Sequence, residues 1–372
     1  MTQPGQQMPQ PQESDSVNWK QLFFAAGGIV VALIIVGVVV SGVVSLPGSQ
    51  ASAISGEVPQ DMKGAIFMTL APKNKIEIIE PYIFSFANNA LIRLDSETQS
   101  STWRARAIHH SFSKNGAWGA FIGVDREVLE SSGNNFAVAQ VYRAQMSSDR
   151  NISQSLAAAT AATDVISAMK RVPSVSNAGE IVYVSRGAGI ADEDLEALTD
   201  AESWLIYHVR RDGSEEFIDN GIFPRWVNED EFIYLKNDGL YVYATDTKTS
   251  DKIWGSYGTV YSNMMMDVSS DGRFIAWTAP DSGRVFVLEV KDWVTRDMEL
   301  KGMVNIHGFW PTLSPDGKYL AIQRVNWEAI QTDPMPRLVF YNLESLERVP
   351  FEINLDSYWQ NAMFVTDWVT AS

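Results

Sequence analysis

Residues 311–323 read PTLSPDGKYLAIQ. Ser-Pro-Asp-Gly within them is a turn with a physical cause. Pro315 presets φ for the first central position, Asp316 closes an Asx-type hydrogen bond, and Gly317 accepts a positive φ. Apolar residues on both sides make the stretch a strand, a tight turn and a second strand. The unit recurs upstream, with Gly116, Gly179, Asp230 and Gly272 in the place of Gly317. Four residues before each turn position stand Phe112, Val175, Trp226, Val268 and Leu313. Two after stand Trp118, Ile181, Phe232, Phe274 and Tyr319, and five after stand Phe121, Val184, Leu235, Trp277 and Ile322.

Successive turn positions lie 63, 51, 42 and 45 residues apart. Repeats of about 40–45 residues built from short strands mark the blades of a β-propeller, and the two wide spacings are blades with insertions. The fold class is therefore all-β, a propeller of six blades, with seven as the alternative. A strand followed by an Asp- or Asn-initiated turn closes the repeats at 93–98, 243–248, 288–293 and 341–346. Residues 82–94, with Asn88-Asn89 as the turn, align with the hairpin at 232–244. Blades are then expected to start near 75, 106, 171, 223, 264 and 308. Residues 64–70 and 362–368 are further strand candidates. One of them is expected to complete a blade made of both termini, which removes the open sheet edge.

The chain has 372 residues, 45% of them hydrophobic, enough to bury a large core. It has no cysteine, which excludes disulfides and thiolate metal sites. A formal net charge of −16 argues against nucleic acid or an anionic membrane surface as partner.

Residues 1–20 are polar and rich in Gln and Pro, a cytoplasmic tail with little to bury. Residues 22–46 carry no charge, and as a helix they are about 37 Å long, enough to cross a hydrocarbon core of about 30 Å. A single transmembrane helix is expected over 21–46. Cleavage at Ala51-Ser52-Ala53 is the competing reading, but a signal peptide's apolar run is only about 7–15 residues. Lys20 precedes the span and the next Lys is Lys63, which places the N-terminus in the cytoplasm and the propeller outside. Residues 47–62 read as a linker and 63–372 as the propeller. Two segments break the β pattern. Residues 153–169 are Ala-rich, a helix or a loosely joined outer strand, and 191–203 form a short acidic helix.

SPDGKYLAI (314–322), SSDGRFIAW (269–277) and DGLYVYATDT (238–247) resemble the TolB-like, or PD40 (WD40-like), propeller repeats of bacterial envelope proteins, over roughly residues 75–350. The resemblance implies an extracytoplasmic, protein-binding scaffold. The apolar span at 21–46, and no separate N-terminal α/β domain, set the chain apart from TolB-type members.

No G-x-S-x-G, H-E-x-x-H, Walker loop or G-x-G-x-x-G occurs. His109 and His110 are adjacent, so on a strand they face opposite ways and do not share an ion. His208 reads as a structural histidine. No catalytic residue, metal ligand or cofactor is assigned. Because the Ser-Pro-Asp-Gly turns gather at one end of the disc, the connections between second and third strands gather at the other. The insertions at 124–135, 187–203 and 325–336 fall there. The loops leading into each blade place His109, Arg171, Phe223, Arg225, Asn263, His307 and Trp310 on the same rim, the expected binding face for another envelope or extracellular protein. The alternative is a hydrolase or lyase with a metal or acid/base group in the central channel. That needs three or four Asp, Glu, His or Asn side chains converging on the axis, whereas Val172, Phe223, Met265 and Trp310 are apolar. A third reading is purely structural.

Overall fold

The computed structural model describes residues 54–71, 80–94, 105–124, 139–147, 152–163, 170–186, 201–255, 265–278, 284–304, 306, 308–324, 337–354 and 362–370. The chain divides into two units, 1–45 and 46–372, and every described residue belongs to the second. The expected tail and membrane span lie outside the described residues. Among the described residues no helix is long and apolar enough to cross a membrane.

Six antiparallel sheets form the blades of a propeller. Blade 2 is Ala105–Phe112, Trp118–Val124, Gln140–Gln145 and Thr160–Ala161. Blade 3 is Lys170–Val175, Ile181–Arg186, Trp204–Val209 and Glu215–Asn220. Blade 4 is Ile222–Trp226, Glu231–Lys236, Gly239–Ala244 and Thr249–Gly255. Blade 5 is Met266–Val268, Phe274–Thr278, Val285–Asp292 and Asp297–Val304. Blade 6 is Gly308–Leu313, Tyr319–Arg324, Arg337–Asn342 and Arg348–Asn354. In each, the first strand is innermost and touches the first strand of the next blade.

Blade 1 closes the ring. Its inner strand is Ala362–Val369, paired along its length with Ala65–Ala71, followed by Glu80–Ser85 and Ala90–Arg93. Both end strands thus enter one sheet, and the first blade starts at residue 65 rather than near 75. The hairpin at 82–94 joins the third and fourth strands, not the second and third. Asn89 (φ 50°) shares its left-handed conformation with Lys248, Arg296 and Leu346 at the same turn of blades 4, 5 and 6. Part of the expected linker is built in as well. Ile54–Gly56 adds a fifth strand to blade 6, Met62 is buried, and Asp61 accepts hydrogen bonds from Tyr319 Oη (2.6 Å) and Lys318 Nζ (3.1 Å). In the Ala-rich segment, a short helix Ile152–Ala157 precedes the outer strand Thr160–Ala161.

The repeated turn forms as its residues require. The amides of Gly116, Gly179, Gly272 and Gly317 donate to the carbonyls of Ser113, Ser176, Ser269 and Ser314 at 2.8–3.0 Å. Each serine hydroxyl in turn accepts the amide that opens the next strand or the residue before it. At Gly179 (φ +83°) a Cβ would meet the Trp118 ring of blade 2 at 2.7 Å, whereas at Gly116 (φ +70°) it would meet nothing within 4 Å. Both Ala variants bear the left-handed penalty of about 1 kcal/mol. Gly179→Ala also opens the contact between blades 2 and 3, and should cost about 2–3 kcal/mol in urea unfolding. Equal losses in the two variants would show that the ring contact contributes nothing.

The core lies between blades. Phe232, Phe274 and Tyr319 are buried at the start of second strands, and Trp118 and Ile181 pack in the cluster between blades 2 and 3. His208, as expected, is structural. Its Nε2 lies 2.8 Å from Glu180 Oε2 and its ring meets Trp226 edge-on.

Candidate functional site

The six inner strands run side by side round the axis, so residues at one register form a ring. Seven residues before the turn position stand His109, Val172, Phe223 and Trp310, all with φ near +50°, a conformation rare for branched or bulky residues. Each lies in a register shift of its inner strand against the second strand. Such bulges re-aim side chains. The His109 and Trp310 rings stack at 6.0 Å although blade 1 separates their blades, so both point into the channel. Val172, Phe223, Met265 and Trp310 are buried. Burial, with Arg171 and Arg225 nearby, pushes His109 down to about 3, so it is neutral.

Five residues before the turn position the ring is polar: Ser111, Ser174, Arg225, Asp267, Thr312 and, by alignment of the inner strands, Asp367. Alternate members stitch neighbouring blades. Asp367 Oδ2 accepts the amide of Phe112 (2.6 Å), Ser174 Oγ that of Trp226 (3.2 Å), and Asp267 Oδ2 that of Leu313 (2.7 Å). Arg225, buried, donates from Nε to Met266 O (3.1 Å) and lies 3.7 Å from Asp267 Oδ1. Burial and the charge of Asp267 push Asp367 up to about 7, against the pull of the Phe112 amide and Arg225. Burial raises Asp267 too, opposed chiefly by Arg225.

Above this ring a cavity of about 300 Å³ opens among the first-to-second-strand turns, lined by five of the six ring members, Lys114, Asn115, Asn177, Asn228, Ser270 and Thr370. Lys114 crosses its mouth. From the turn of blade 2 its Nζ donates to Val227 O in blade 4 (2.9 Å) and Ser269 O in blade 5 (3.2 Å). Burial lowers it to about 8 although Asp267, Asp271 and Glu229 favour its charge. Asn177 links the neighbouring turns, accepting the Asn115 amide (2.9 Å) and donating to Glu229 Oε1 (2.6 Å).

Of the residues expected to bind, the structure brings His109, Phe223, Arg225 and Trp310 into the channel. Arg225 alone lines the cavity. Arg171 lies over the Trp204 ring, 5.3 Å away. Asn263, His307 and the three insertions from 125–135, 187–200 and 325–336 lie outside the described residues. Sequence reasoning missed Lys114, Asp267 and Asp367. A signal existed in the unbroken polar run five residues before each turn position, next to the apolar one that was used. Of the Asp, Glu, His and Asn side chains sought round the axis, Asp267 and Asp367 line the cavity from the polar ring and Asn115, Asn177 and Asn228 from the turns above it. Among the described residues no group of His, Asp or Glu is arranged to hold a metal ion.

No family model matches the chain, and no curated protein is similar to it in sequence. Among solved structures, TolB from Acinetobacter baumannii aligns with a TM-score of 0.56 at 14% identity, covering 85% of this chain and 68% of that one. An oligogalacturonate lyase in complex with manganese aligns at 0.49 and 9% identity, covering 81% and 82%. A putative TolB from Agrobacterium tumefaciens aligns at 0.47 and 11% identity, covering 82% and 97%. The likeness to the Acinetobacter TolB shows the propeller fold alone.

Proposed function

We propose that the propeller is a recognition module, tethered by residues 21–46 and displayed outside the cytoplasm, that binds a polar segment of another envelope protein in the channel mouth on the turn face, without covalent chemistry. The cavity carries this reading. At about 300 Å³ it is at the small end of ligand sites and suits a few residues of an inserted chain. Its charged groups are already held by main-chain partners from adjacent blades, which fixes them before a ligand arrives and lowers the ordering cost of binding.

Ser270→Trp and Thr370→Trp fill the mouth without touching the polar ring. In the full chain, solubilised in detergent and immobilised, the pair is expected to lower affinity for any specifically captured and repurified partner at least tenfold. Arg324→Ala, at the far end of the second strand of blade 6 and so on the opposite rim, should leave it unchanged. Loss only with Arg324→Ala would transfer recognition to the opposite rim.

A second reading rests on Asp367. Asp367, held near 7, and Lys114, held near 8, line the same cavity, and groups titrating in that range suit proton transfer. Asp367→Asn keeps an oxygen for the Phe112 amide. It should leave partner affinity within threefold, whereas a turnover abolished by this one change would favour the acid/base reading.

A further inference from the structure

Lys114 leaves its own turn and reaches from blade 2 across the cavity to blades 4 and 5. Its ammonium does not end in solvent. It donates to two main-chain carbonyls on blades 4 and 5, Val227 O and Ser269 O, with the carboxylates of Asp267, Asp271 and Glu229 close enough to favour its charge. Ser269 O already accepts the Gly272 amide, so it is fixed by the turn rather than recruited by the lysine. Val227 is held in the turn of blade 4 by its amide, which donates to Glu231 O, so the carbonyl pair exists whether or not Lys114 is present. A preformed pair of acceptors, ringed by carboxylates at the rim of a cavity with room for more chain, is the complement of a primary ammonium, which has three donors and no acceptor.

We propose that this carbonyl pair is a binding site for a ligand's primary ammonium, and that Lys114 is a tethered competitor that occupies it until the ligand arrives. The inference rests on the reading of the turn-face mouth as the recognition site, and it names the chemistry of the segment taken there. An ammonium-bearing ligand gains the two carbonyls and the field of Asp267, Asp271 and Glu229. Lys114, displaced, reaches water on its flexible stem and loses little. Burial already weakens its charge, so the exchange costs the protein less than removing a fully solvated lysine pair would suggest. The charged groups that face the ammonium are Glu229 on blade 4, Asp267 and Asp271 on blade 5, and Arg225 beside Asp267.

The test uses the full chain in detergent and n-butylammonium as probe, followed by calorimetry. Lys114→Ala is expected to bind the probe at least tenfold more tightly than the wild type, and Asp271→Asn in that background to weaken it again severalfold. Tetramethylammonium, with equal charge and no donor, should bind neither protein. Equal affinity for the two cations, or no gain on removing Lys114, would overturn the proposal. The wild type provides a check free of substitution. From pH 7 to pH 9 Lys114 loses its proton while an ordinary alkyl ammonium stays charged to about pH 10, so probe affinity should rise severalfold, and the rise should persist in Asp367→Asn, which removes the other cavity group that titrates in this window. A flat or falling affinity would count against the site. Nα-acetyl-lysine methylamide and cadaverine then separate a protein segment from a free amine as the source. If the probe fails while mouth-filling variants still lose their partner, the ammonium site falls and the recognition face stands. If the probe binds while those variants keep their partner, the reverse holds.

Discussion

Ending the chain at residue 361 is expected to abolish cooperative folding. The missing strand, Ala362–Val369, is the inner strand of blade 1 and pairs with the inner side of Ala65–Ala71. It buries Val365 and Trp368. Trp368 also donates from Nε1 to Lys63 O (2.8 Å), and its ring stacks on Phe86 at 5.0 Å. Asp367 goes too, and with it the acceptor for the first amide contact of blade 2. Loss of a buried tryptophan costs about 3–5 kcal/mol, and the exposed backbone of a seven-residue neighbour adds to it. Set against a typical total of about 5–15 kcal/mol, little stability is left. Far-UV circular dichroism and limited proteolysis of the truncated chain decide the point. Trp368→Ala should remain folded and lose about 3–5 kcal/mol in urea unfolding. A truncated chain that unfolds in one sharp transition near the wild-type midpoint would show that the ring does not depend on this closure.

Acid should weaken the protein through His110. Its ring lies between those of Phe67 (4.5 Å) and Phe121 (5.2 Å) at the joint of blades 1 and 2, 1% exposed, with neither nitrogen hydrogen-bonded. Burial pushes it down to about 3 from an ordinary 6.5. The unfolded chain takes up a proton below pH 6.5 and the folded chain does not, so this contribution to stability is complete above 6.5 and is lost as pH falls toward 3. By pH 5 the loss is about 2 kcal/mol. Asp367 acts with the opposite sign. The folded chain keeps its proton up to about 7 and the unfolded chain releases it near 3.8, so stability from this group is complete at low pH and is lost as pH rises through 7. His110→Phe removes an unsatisfied buried polar group. It should be at least as stable as the wild type at pH 8 and about 2 kcal/mol more stable relative to it at pH 5. Urea unfolding at the two pH values measures this, and identical pH profiles for variant and wild type would show that His110 is not the acid-sensitive group.

The blades were legible because their causes are local. A Gly that must take a positive φ and apolar residues at fixed distances from it recur in the sequence, and they fold as the repeats require. Blade 1 was misread because an Asn-bearing turn serves two different connections. Asn88-Asn89 resembles Asn237-Asp238, and only pairing with the distant strand at 362–369 tells them apart. The candidate site was legible by half. The polar ring stands in register with the apolar positions, but its meaning depends on which way each inner strand is turned, and the bulges at His109, Val172, Phe223 and Trp310 set that. Lys114 could not be found by pattern. Nothing in SKNG says that its side chain crosses to blades 4 and 5, because that contact exists only when six blades close on one axis.

Recognition at the turn-face mouth requires that this end of the channel, and not the other, meet the partner. The chain has no cysteine, so one introduced thiol carries a benzophenone at a single place. With the label on Ser270→Cys, at the turn-face mouth, irradiation in the presence of the repurified partner should give a covalent complex, and with the label on Arg324→Cys, at the other end of blade 6, it should give none. Cross-linking from position 324 with none from position 270 would contradict recognition at the turn face and place it on the opposite rim.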